Sequence, residues 1–345
     1  MNKRSGDSVA LKQRQSIKEL FRDQRVILLI LIIVIAVVVG LINNRFFAMK
    51  NVLAIFQEIS VGGLLTMAMA MQLLNGGLDL SMGNIMVFAG CVMSMLLTGG
   101  SQYASDISGN GSLGANALVS LPVAILIGFA VAIGCGALNG WIVAKSKCMP
   151  LIITLAMGNV YYGAALMLTG GQYLSFNLQF EPLRILEIAG VIPMTLIIFI
   201  GMVIVAWLLI NRTKYGRRAV AIGGNEENAR LSGIKVDRYK IITYAIGGLY
   251  YGIASILYAS RLDSVTAGGG ANYALTALTG AIIGGVTFDG GKGTIIGAFF
   301  GVLFMGLIAN AMNILNIDSY LQISISGVIV VIAVVISNMD NLRRK

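Results

Sequence analysis

Residues 26–42 read VILLILIIVIAVVVGLI, an apolar run without a single charge. A helix needs about 17–25 such residues to cross the hydrocarbon core of a bilayer, and apolar character on every side suits lipid rather than water. The run follows a polar N-terminal tail, 1–25, and leads into Asn43-Asn44-Arg45. No small-residue cleavage site marks its end, so it reads as a retained anchor rather than a removable signal peptide.

Working outward from this run, further apolar stretches lie near 52–74, 84–98, 119–144, 151–170, 190–210, 241–260, 273–288, 294–315 and 320–337. Each is expected to be helical, because backbone amides in lipid must find partners within their own segment. The alternation that a closed barrel requires is absent from the sequence. The expected fold is therefore an all-α polytopic membrane protein of about ten transmembrane helices. Residues 26–338 form the membrane domain, and 339–345 form a short C-terminal tail.

Composition supports this. Hydrophobic residues make up 57% of the 345 and charged residues 12%, too few charges to cover a soluble domain of this size. There is no His, which removes the usual neutral-pH base and the commonest metal ligand. Cys91, Cys135 and Cys148 have no metal-site spacing. No cofactor is expected on this chain.

The net charge of +10 is distributed as topology signals, in short segments between apolar runs, and not as a nucleic-acid surface. With the N-terminus inside, only Arg45, Lys50, Arg184 and Arg261 of the 25 Lys and Arg fall outside. The positive-inside rule then places both termini in the cytoplasm, with an even number of spans.

Small residues indicate close helix packing. Ala124, Gly128, Ala132, Gly136 and Gly140 recur every four residues, and Gly293, Gly297 and Gly301 repeat the pattern. A pore lining of small residues is the other reading of such a stripe. Gly77-Leu78-Asp79-Leu80-Ser81 before the third span and Arg261-Leu262-Asp263-Ser264 before the eighth suggest an inverted repeat with broken helices.

The 211–240 segment is the one substantial cytoplasmic loop between spans. Within it Asn225 can cap a helix, Glu226 and Glu227 complement its positive end, and Gly233 can stop it. The resulting helix of about seven residues is too short to span and, with Ala229 and Leu231, too apolar for a plain linker. It suits docking on a partner, with a helix lying on the membrane as the alternative.

Gly290-Gly291-Lys292-Gly293-Thr294 fails as a phosphate loop, since Val286 stands at the first Gly position and Gly293 where Ser or Thr is needed. The acidic residues, Asp79, Asp289 and Asp318 among them, fall at span ends or in loops, which argues against ion coupling. Asn84, Asn159, Tyr161, Asn310 and Asn313 are the polar residues within or beside the spans that could line a path. Each is equally suited to an interhelical hydrogen bond.

Four stretches carry a resemblance: NGGLDLSMG at 75–83, AIGGNEENARLSGI at 221–234, IGGVTFDGGKG at 283–293, and Arg261-Leu262. From about residue 45 onward the sequence resembles the permease subunits of bacterial ribose/xylose/arabinose/galactose-type ABC importers, with the motifs in the same order and spacing. The wider superfamily includes branched-chain amino-acid and nucleoside permeases, and the 76–81 loop together with Gly224–Glu227 favours the sugar branch.

The resemblance implies a type II importer-like bundle in the bacterial inner membrane, paired with a second permease copy or paralogue. It also implies an ATPase subunit that binds ATP-Mg and a soluble periplasmic or lipid-anchored binding protein that delivers a monosaccharide. On this resemblance Asn225, Glu226, Glu227, Asn228, Ala229, Arg230, Leu231, Ser232 and Gly233 form the helix that couples to the ATPase. Gly76, Gly77, Asp79, Ser81 and Gly83 shape an inner gate loop, and Thr287-Phe288-Asp289, more acidic than in relatives, is given no role. Rival readings are an amino-acid or nucleoside permease, or a self-sufficient secondary carrier. A membrane enzyme lacks any visible nucleophile–base pair.

Overall fold

The structure, a computed structural model, describes residues 24–98, 118–188 and 192–342. Most of the N-terminal tail and Arg343–Lys345, with the cations assigned to them, lie outside the described residues. A helix stands at each expected apolar run. These are α1 (Gln24–Ile42), α2 (Met49–Leu74), α3 (Met82–Thr98), α4 (Leu121–Ser146) and α5 (Pro150–Thr169). A short α6 (Glu181–Ile185) precedes α7 (Met194–Arg212).

Beyond α7 come α8 (Lys214–Gly224), α9 (Glu226–Leu231), α10 (Val236–Leu262), α11 (Tyr273–Ile283), α12 (Ile295–Ile314) and α13 (Ser319–Leu342). Among the described residues α1, α2, α4, α5, α7, α10 and α12 are long and apolar enough to cross a membrane, while α3 and the apolar part of α13 are shorter. Four two-residue strands join the loops: Leu174–Ser175 pairs antiparallel with Ser264–Val265, and Glu187–Ile188 with Ile192–Pro193.

Two expectations need correction. The run at 273–288 is not one span, because α11 stops at Ile283 and covers only about 16 Å at the rise of an α-helix. There the chain turns at Gly285, whose φ of +88 a side chain would strain, while Gly284 packs on the backbone of Gly297. Nor is 211–240 a single loop. It holds α8, whose Thr213 side chain accepts from the Gly216 amide at 3.2 Å and whose buried face is Gly216, Ala219 and Ile222. Its cations, not that apolar face, dominate the local sequence.

The centre of the bundle is the antiparallel pair α2 and α10. Glu58 pairs with Arg261 at one end, and Asn75 Nδ2 donates to Thr243 Oγ1 at 2.8 Å at the other. The stripe Ala124, Gly128, Ala132, Gly136, Gly140 is buried. From Ala132 onward it faces Tyr244, Gly248 and Gly252 of α10, so these residues form a helix seam rather than a pore wall. Gly297 and Gly301 serve α12 in the same way, against Gly284 and Gly280. The outward faces are apolar. Ile33, Leu126, Ile152, Ile204 and Val331 are each more than half exposed, a distribution that lipid or a second subunit accommodates and water does not.

Candidate functional site

The chain between α2 and α3, residues 75–81, is non-helical and, apart from exposed Gly76 and half-buried Leu80, buried inside the bundle. Unpaired backbone groups at that depth are costly, so side chains must meet them. Tyr244 does so twice at Leu78: its hydroxyl donates to the carbonyl at 2.8 Å and accepts from the amide at 3.1 Å. Thr154 Oγ1 accepts from the Leu80 amide at 3.1 Å.

Asp79 is the hub of this segment and is completely buried. Its carboxylate accepts from the Ser81 amide at 2.9 Å, the Ser81 hydroxyl at 2.5 Å, the Tyr251 hydroxyl at 3.0 Å and Asn139 Nδ2 at 3.4 Å. A second tier holds the donors. Gln72 Nε2 donates to Tyr251 at 2.7 Å, and Tyr161 donates to Asn139 Oδ1 at 2.9 Å. One carboxylate thereby joins α2, α4, α5 and α10 through neutral donors, with no cation against it among the described residues.

The second broken segment, 263–272, enters from the opposite end of the α2–α10 pair. It contains a 3-10 turn, Ala267–Gly270, that packs on the start of α3. The second break meets the first turn of α3 backbone to backbone at Gly270 and Gly83, where a side chain on either would collide with the other's carbonyl. The order of long helix, broken segment and short helix thus occurs twice, running in opposite directions.

At the end that carries α8 and α9, three glycine turns interlock. A methyl group on Gly223 would strike the Leu74 carbonyl and the amides of Gly76 and Gly291. Gly76 has φ +70, Gly290 +88 and Gly291 +69. The 287–293 turn, without a role in the sequence reading, is the third member of this contact.

α9 starts and stops where the residues require. Asn225 Oδ1 accepts from the Asn228 amide at 2.8 Å, Ser232 caps the last turn, and Gly233 has φ +80. Ala229 is buried against Ile222 and Val236, which fastens α9 to α8 and α10. Glu226 pairs with Lys240 at 2.6 Å and with Arg230 at 3.1 Å. Burial pushes the Glu226 carboxyl up, but the ammonium and guanidinium outweigh it and hold it below the usual carboxylate range. Leu231 remains 80% exposed, an apolar tip that nothing among the described residues covers.

The five polar path candidates do not converge. Asn84 donates to the Gly158 carbonyl at 3.0 Å, and Tyr161 belongs to the Asp79 network. Asn310 exchanges hydrogen bonds with Asn51 at 2.8 and 3.0 Å, where α12 meets α2. Asn313 accepts from Gln322 at 3.0 Å, and Asn159 is exposed on the outer side of α5.

The family described as "branched-chain amino acid transport system / permease component" matches residues 51–334. The chain belongs to this permease family. It is similar to the ribose import permease protein of Bacillus subtilis strain 168, with 31% identity over 303 residues covering 87% of this chain and 88% of the relative. The L-arabinose transport system permease protein of Escherichia coli K12 shares 32% identity over 279 residues, covering 80% and 79%. The D-allose transport system permease protein of the same strain shares 30% over 323 residues, covering 93% of each. No solved structure matches. The resemblance to sugar-importer permeases is met by these relatives, and the permease is a multi-pass inner-membrane protein.

Of the residues around Asp79 in the permease, the sequence reading singled out Ser81 and Tyr161 but not Gln72, Asn139, Tyr244 or Tyr251. A signal was present in the last pair, two tyrosines seven residues apart and therefore on one face of α10.

Proposed function

We propose that the permease is the membrane subunit of an ATP-binding cassette importer that moves a monosaccharide of the pentose or hexose class into the bacterial cytoplasm. Its ten membrane segments, of which α11 is only about half a span, form two inverted halves with both termini inside, and the functional unit pairs two permease copies or paralogues. A separate ATPase subunit supplies the energy from ATP-Mg, and a binding protein delivers the sugar from outside.

The reading rests chiefly on the continuity from α9 to the Asp79 loop. A push on Leu231 passes through α8 to Gly223, and Gly223 touches the backbone that leads from Leu74 to Asp79. A carrier without a partner has no need of an exposed apolar knob tied to its gate. The names of the ribose, arabinose and allose permeases favour a sugar. The family's description favours a branched-chain amino acid as the second reading.

Reconstitution into liposomes tests both. The permease with its ATPase and binding protein is expected to accumulate labelled pentose or hexose when ATP is present, and leucine is expected not to compete. Uphill transport by the permease alone under an ion gradient would overturn the proposal.

A further inference from the structure

Between α2, α11, α12 and α13 lies a half-enclosed cavity of about 190 Å³ that does not belong to the Asp79 network. It is smaller than the ~300–1,000 Å³ of sites for drug-sized ligands, which suits a single-ring solute. Its wall is mostly apolar, with Gly62, Val302, Met305 and Met312, and Glu58, Thr66 and Thr276 supply polar groups. We infer that this cavity is the monosaccharide site of the permease, occupied by the sugar on its way to the Asp79 loop.

The chemistry of the wall carries the inference. Thr66 Oγ1 donates to the Gly62 carbonyl at 2.8 Å, and Thr276 Oγ1 donates to the Asn272 carbonyl at 3.0 Å. With their protons committed to their own helices, both hydroxyls offer the cavity lone pairs. Glu58, held by Arg261, is likewise an acceptor. A ligand rich in hydroxyl donors engages these lone pairs, while the apolar part of the wall takes its C–H faces. Tyr273 adds an aromatic surface for the C–H face of a sugar ring, and its ring is oriented edge-to-face by Tyr258 at 6.2 Å between centroids.

Space at Gly62 is the second observation. A side chain built there meets nothing, although the helix around it is closely packed. Thr66 is only about 9 Å along α2 from Gln72, the first residue of the Asp79 network, at 1.5 Å rise per residue. The loop that closes the bundle toward α9 begins at Asn75, about 14 Å along α2 from Thr66.

This inference rests on the monosaccharide-importer reading, and the experiment separates the two. The complex of permease, ATPase and binding protein is reconstituted, and uptake of labelled D-ribose, L-arabinose and D-allose is followed with concentration. Gly62→Leu, which fills the cavity, is expected to reduce uptake of the transported sugar at least tenfold. The double variant Thr66→Val, Thr276→Val keeps the side-chain shapes and is expected to raise the half-saturating concentration about tenfold. Gly201→Leu, also in open space but on α7 away from the cavity, is expected to transport normally. Wild-type uptake by Gly62→Leu would overturn the site alone, as would an unaltered half-saturating concentration in the double variant should Gly62→Leu fail to assemble. Absence of ATP-driven uptake of all three sugars by the unmodified complex would overturn the functional reading and the site with it.

Discussion

The Glu226 carboxylate lies 2.6 Å from the Lys240 ammonium, so the short helix α9 is tied by charge to the first turns of α10, one of the two central helices. A six-residue helix has little stability of its own. The pair and the buried Ala229 therefore hold α9 against α8 and α10.

The attachment is expected to weaken in acid. Because the folded carboxyl titrates below its ordinary value of 4.5, its contribution is complete above that value and is lost as pH falls through the lowered one. Glu226 is 45% exposed and solvent screens the pair, so the effect is small. Glu226→Gln at neutral pH is expected to speed amide exchange in 226–234 by no more than about fivefold. Unchanged exchange would show that Ala229 alone holds α9.

Leu231→Ser removes the exposed tip without touching the cap or the ion pairs. A leucine fully buried in a partner contributes roughly 1.5–3 kcal/mol, so affinity for the ATPase subunit should fall about ten- to a hundredfold while membrane insertion is retained. Co-purification measures this, and undiminished binding would assign docking to another surface.

Gly223→Ala places a methyl group among three backbones and is expected to cost about 1–3 kcal/mol, read as a lower melting temperature in detergent together with reduced transport. Gly224→Ala, where a methyl meets nothing, is the control and should behave as wild type. Equal behaviour of the two would mean that the glycine contact is loose.

Asp79→Ala leaves four donors without their acceptor, whereas Tyr251→Phe removes only one of those donors. Each unpaired buried group costs on the order of 1–3 kcal/mol, less where a membrane neighbour takes over. The expected order of melting temperatures is wild type, Tyr251→Phe, Asp79→Ala. The reverse order of the two variants would remove Asp79 from the hub.

Cys148 tests the orientation without an engineered probe. It is exposed beside Lys147, on a turn assigned to the cytoplasm, whereas Cys91 is buried and Cys135 partly so. A membrane-impermeant maleimide should label Cys148 in inside-out vesicles and not in right-side-out ones. Labelling from the outside would invert the topology.

Much of this was legible along the chain. Apolar runs indicate helices because lipid demands internal hydrogen bonding, and the residues of α9 show their own caps because capping is local. The stripe on α4 was visible, but not its partner α10, since a small-residue face says only that something approaches closely. The path candidates were chosen as polar residues in apolar surroundings. Asn310 fits that description, but its partner is Asn51, which was not among the candidates.

By itself the sequence determined that this is a helical membrane protein, where most helices begin and end, and where a short capped helix lies between the spans. These follow from periodicity, length and charge, all properties of neighbouring residues. Only the tertiary structure decided that Asp79 is a buried hub, that Gly83 meets Gly270, and that a cavity opens beside Gly62. Each depends on segments far apart in the chain, and close backbone approach and hydrogen-bond convergence exist only once the helices have packed.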